Sequence, residues 1–185
     1  MATLNTGQER APVCPHQQYL SRLTPYGLYI VLWANDRPPQ KYRFHWGLYF
    51  HTSPTQGLKY HIVNDDEDAW KAAHGETRGV FKSLQLCALV HIATIQPDAR
   101  DDVDHIIKSL DGELNEYPGI TCRVWVMMIV QLLACRRFLY CPLADDLEYE
   151  CMEIGNCCQI DVITGRQPRS VIKSQVCFSN DRLLQ

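Results

Sequence analysis

Two histidines and one cysteine stand where side-chain type and spacing could do chemistry. His45 opens the segment HWGLYF, His61 follows sixteen positions later in YHIVN, and Cys122 heads the apolar run of YPGITCRVWVMMIVQLLAC, residues 117–135. An imidazole beside a thiol is a general base beside a nucleophile, and a second imidazole can orient the first. Such a set attacks the carbonyl carbon of an ester, a thioester or an amide. The thiolate is the attacking species, and a helix N-terminus stabilises it through free N–H groups and partial positive charge. The expectation is therefore a reactive Cys122 of depressed pKa, His45 as base, His61 as orienting group and the Cys122 N–H as an oxyanion donor. His51 shares the parity of His45, but six extended residues place it near the far end of the strand.

For these groups to meet, the intervening chain must form a hairpin and a docked helix. LYIVLWA (28–34) reads as a strand stopped by Asn35-Asp36 and Pro38-Pro39. YRFHWGLYFHT (42–52) is a second strand with large residues on both faces, as in a sheet centre. SPTQG (53–57) turns the chain and LKYHIVND (58–65) returns it, so the strands of His45 and His61 lie side by side. His45, Gly47 and Tyr49 share one face, and Phe44, Trp46 and Leu48 the other. Gly47 leaves room beside His45 for a ligand. Trp46, Gly47, Tyr49, Thr121 and Trp125 are the expected pocket residues.

DDEDAWKAAHGETRG (65–79) reads as a short helix or a loop anchored by Trp70. FKSLQLCALVHIATI (81–95) reads as one or two strands, with helix open for so short an apolar run. DARDDVDHIIKSLDGEL (98–114) is a helix capped by Asp98, with Val103, Ile106, Ile107 and Leu110 on one face. From Val124 to Ala134 only Gln131 is polar, which predicts a helix buried on more than one side and closed by Arg136-Arg137. Residues 138–185 look less regular, with a strand in QPRSVIKSQVCF (167–178). The class is α+β, an antiparallel sheet with segregated helices. Three parts follow: an N-terminal arm (1–26) with a short helix at HQQYLSRL, a core (27–138) and a cysteine-rich extension (139–185) packed on it.

A chain of 185 residues with a formal charge of -3 suits one domain and argues against a nucleic-acid surface. Its longest basic block is Arg136-Arg137. Nine cysteines cannot all pair within the chain, no secretory leader or membrane-length apolar run is evident, and the expected setting is a reducing cytoplasm with most thiols free. CMEIGNCCQI lacks the spacing of a zinc site, so no metal or organic cofactor is expected.

The order HWGLYF…KYHIVN…TCRVW resembles the circularly permuted papain-like cysteine enzymes, which include lecithin–retinol acyltransferase-like proteins, PPPDE peptidases and relatives of the NlpC peptidases. It is similar also to small fungal proteins of that type. The resemblance spans roughly residues 42–135. It implies a permuted papain-like core, with Cys122 as nucleophile, His45 as base, His61 as orienting group and Trp125 in the aromatic position of the cysteine motif. It also implies a small-molecule, lipid or peptide acyl substrate, hydrolysed, transferred or cyclised. Thr121 stands where that family carries Asn or Asp. The other reading is a non-catalytic binding module on a degenerate papain-like scaffold.

Overall fold

A computed structural model of the chain describes residues 15–64 and 69–180. A short helix α1 (Pro15–Leu20) leads into strands β1 (Gly27–Ala34), β2 (Phe44–Ser53) and β3 (Gln56–Tyr60). Three short strands follow: β4 (Ile62–Asn64), β5 (Trp70–Ala72) and β6 (Gly75–Thr77). Then come β7 (Leu86–Thr94), α2 (Arg100–Lys108), α3 (Cys122–Cys135), α4 (Ala144–Thr164) and β8 (Ser170–Lys173). Six strands form one sheet in the order β6-β3-β2-β1-β7-β8, and β4 pairs with β5 as a separate ribbon. The class is α+β. The sheet is mixed rather than purely antiparallel, because β8 runs parallel to β7 from Ala88↔Ser170 to His91↔Lys173.

β1 and β2 are buried on both faces, which is why their sequences lack polar alternation. One face carries Leu28, Ile30, Leu32, Trp46, Leu48 and Phe50 into the main core under α3 and α4. The other carries Tyr29, Val31 and Tyr49 into a smaller core covered by Leu20, Leu23 and Phe81. The apolar run after Cys122 is the inner helix: Trp125, Val126, Ile129, Val130 and Leu133 are all fully buried.

Three elements differ from the sequence expectation. The stretch after residue 68 pairs as β5 and β6 instead of forming a helix or loop, while the acidic residues 65–68 lie outside the described residues. Trp70 packs against the main core, and its backbone N–H and carbonyl pair with the Asn115 side chain at 2.8 and 3.1 Å. α2 is shorter than expected and lacks an Asp98 cap; Asp98 sits in a preceding 3-10 turn and Ala99 occupies the cap position. The largest difference is α4, a 21-residue helix where irregular chain was expected. Its buried face of Leu147, Cys151, Met152, Gly155, Cys158, Gln159 and Asp161 has helical spacing, but beyond Leu147 and Met152 it is filled by cysteine, glycine and polar residues. The residues after 138 therefore share the core and complete the sheet.

Two contacts fix α4. Arg169, 2% exposed, donates from Nη1 to the carbonyls of Asp161 and Arg166 and from Nη2 to the carbonyl of Leu84, which joins the helix end to the start of β7. At Gly155 the helix passes so close to β2 that an added Cβ would lie 2.7 Å from Phe44 Cζ. Gly155→Ala gains up to ~1 kcal/mol of helix propensity but overpacks a site where such insertions cost ~1–3 kcal/mol. We expect a net loss of about 1 kcal/mol, read as a lower urea midpoint at unchanged slope.

Candidate functional site

The β1–β2 ladder sets Trp33 opposite His45. The β2–β3 ladder stops at Leu48↔Tyr60, and beyond it the chain turns out of the sheet into His61. There the histidines meet: His45 Nε2 and His61 Nδ1 are 2.8 Å apart, with the rings edge to face. The Trp33 ring flanks both, its centroid 5.5 Å from His45 and 6.1 Å from His61. Only one hydrogen can lie between the two nitrogens. When His45 Nε2 donates it, His45 Nδ1 keeps the lone pair of a base and His61 fixes that tautomer.

Both rings are uncharged at neutral pH. Burial, then the Lys59 ammonium, pushes His45 below its ordinary value. Burial, Lys59, His45 and His74 together push His61 down to about 4. His61 is held from behind as well. Its backbone N–H donates to His74 Nδ1 at 3.2 Å, and His74 Nε2 lies 3.1 Å from Asp111 Oδ1. Sequence reasoning missed His74 and Asp111. Reading Trp70–Ala72 as a strand would have revealed His74, because the Ile62↔Ala72 register brings Tyr60, His61 and His74 together.

Cys122 is the first residue of α3. Thr121 caps the helix, its Oγ1 accepting from Val124 N at 3.2 Å. Thr121→Ala should cost about 1 kcal/mol of stability in chemical denaturation, and Thr121→Ser should restore most of it. Since the β2–β3 ladder has ended, the Trp46 amide is free to donate to Cys122 Sγ at 3.5 Å. This amide is adjacent in sequence to His45, so the sulfur lies within about 6 Å of the His45 Cα by bond geometry. Among the described residues, no hydrogen bond joins the sulfur to either histidine. Burial pushes the Cys122 thiol up despite amides at Trp46, Arg123 and its own position that favour the thiolate. The expected depression is therefore absent: the resting group is a neutral thiol held at the Trp46 amide.

A cleft of 380 Å³ opens on the His45 side of the sheet, between Trp33, His45, Lys59 and His61 on one wall and Val80 and Gln85 on the other. Cys122 does not line it; the cysteine approaches from the helical side. The remaining predicted pocket residues do not line it either. Trp46 and Trp125 lie in the main core, and Tyr49 lies in the smaller core with its hydroxyl 3.1 Å from His51 Nδ1. The space beside Gly47 is filled, since an added Cβ would lie 3.0 Å from the Trp33 ring and 3.1 Å from His61 Cβ. No group of three or more potential metal ligands is found among the described residues. None of their helices is long and apolar enough to cross a membrane. The chain matches no family model, no curated protein and no solved structure.

Proposed function

We propose that the protein is a thiol-dependent acyl-transfer enzyme, a hydrolase, transferase or cyclase, on a permuted papain-like core. The observation that carries this reading is the 2.8 Å His45–His61 pair next to the Trp46 amide that holds the Cys122 thiol at a helix N-terminus. Cys122 Sγ attacks the carbonyl carbon of an ester, thioester or amide, and its proton passes to His45 Nδ1. The S–C bond forms, the leaving group departs with that proton, and an acyl-enzyme remains. Water or an amine, deprotonated by His45, then takes the acyl group and restores the thiol. His61 keeps Nδ1 of His45 as the basic atom throughout. The N–H groups at the start of α3 are donors for the oxyanion.

The test is covalent capture. Incubation with a panel of aryl esters and thioesters, followed by peptide mapping, should place an acyl adduct on Cys122 ahead of the exposed Cys135 and Cys157. Adducts that simply follow thiol exposure overturn the proposal. The second reading, a binding module, is favoured by the burial-raised thiol and by the absence of Cys122 from the cleft lining. It requires ligand binding to survive Cys122→Ala with no acyl adduct in the parent protein.

A further inference from the structure

Lys59 is the one side chain of fixed charge among the described residues that line the cleft, and no carboxylate lines it. It projects from β3 two residues before His61, on the same face, so its Cα lies on the order of 7 Å from that of His61. Its β2 partner is the buried Tyr49 and its β6 partner is Gly75, and among the described residues no ion pair engages its ammonium. A partly buried cation without a counter-charge has given up solvation and gained nothing in return. A ligand anion that reaches it recovers that loss.

We propose that this cleft binds a small monoanion, a carboxylate on an apolar body, with Lys59 as the group that selects the charge. One fixed positive charge flanked by two neutral histidines matches one negative charge better than a phosphate dianion. Trp33 and Val80 provide the apolar wall, and the hydroxyls of Thr77 and Ser83 are further donors. A cavity of 380 Å³ falls in the range of small-molecule sites. Burial lowers the Lys59 pKa, in keeping with a desolvated ammonium that lacks a partner. As a statement about binding this stands without Cys122. As a statement about substrate class, that the acyl donor or acceptor carries a carboxylate about one strand-pair step from the reacting carbonyl, it rests on the acyl-transfer reading above.

The experiment uses the full chain as Cys122→Ala, so that nothing turns over. Phenylacetate and phenylacetamide, nearly identical in shape, are titrated by calorimetry. Phenylacetate should bind at least about tenfold tighter, as expected for a hydrogen bond to a charged group. Lys59→Met should abolish that preference while leaving the weaker amide binding, and Lys59→Arg should restore most of it. Equal affinities in the parent, no binding of either probe, or a preference that survives Lys59→Met would each overturn the proposal. Thermal melts of all three proteins separate loss of the site from loss of the fold. Phenylacetate binding without any Cys122 adduct in the unsubstituted protein leaves the site standing and removes the acyl-transfer reading. A Cys122 adduct with no preference for phenylacetate does the reverse.

Discussion

Cys122→Ala should abolish acyl capture and lower kcat/KM for the captured donor by at least about a thousandfold, as removal of a nucleophile does elsewhere. The fold should survive. Cys122 is only partly buried at the edge of the main core, its bond to Trp46 N is long at 3.5 Å, and alanine is a good helix former. Cys122→Ser is the sharper variant. A hydroxyl is far less acidic than a thiol, so a neutral histidine is a poor match for it, and the serine protein should fall to nearly the level of alanine. An unchanged rate in either variant would end the case for Cys122 as the nucleophile. Because the resting thiol is raised by burial, reaction with iodoacetamide at neutral pH should not single out Cys122 over the exposed Cys157. The acyl donor should single it out, because a bound carbonyl is positioned and a dissolved alkylating agent is not.

His45→Gln should cost between a hundredfold and ten-thousandfold in kcat, roughly the contribution of a general base. Its pH profile carries a second check. The base must be unprotonated to work, and burial, followed by Lys59, lowers its pKa below the ordinary 6.5. Activity should thus stay level as pH falls through that ordinary value and decline only below it. In Lys59→Met the Coulombic cause is removed while burial, the larger one, persists. The acid limb should then move up, though not all the way to the ordinary value. His61→Asn keeps an acceptor facing His45 Nε2 and should lose less than His61→Leu, which leaves that N–H without a partner. A His45→Gln protein at full rate would exclude His45 as the base, and an acid limb that stays put in Lys59→Met would leave burial as the cause of its lowered pKa.

Much of this site could be read from residue order because its histidine half is local. A strand, a tight turn and a returning strand place residues 45 and 61 together with few alternatives, and helix-capping chemistry marks Thr121 and Cys122 as a helix start. Depth is harder to read. Parity correctly put Gly47 and Tyr49 on the His45 face, but period-two patterning cannot say that α1 and the turn at Phe81 cover Tyr49, or that Trp33 and His61 close over Gly47. It was likewise depth, not position, that turned the helix-start thiol from a lowered to a raised pKa. α4 escaped because, apart from Leu147 and Met152, its inward face is built from small and polar side chains, which a hydrophobic period registers only weakly. β8 was legible as a strand, whereas its parallel partner was not, since pairing over that distance leaves no local trace.

The parallel strand β8 also bears on how the chain reaches this structure. β1, β2 and β3 are neighbours in the sequence and in the sheet, so the hairpin that joins His45 to His61 closes short loops. β8 can pair with β7 only after α2, α3 and α4 have been laid across the sheet, and Arg169 secures that closure by bonding back to Leu84. Loop-closure entropy makes such distant pairing the slow step. During synthesis the histidine pair can form before Cys122 has been made, and α3 can carry the cysteine to β2 before β8 closes the sheet.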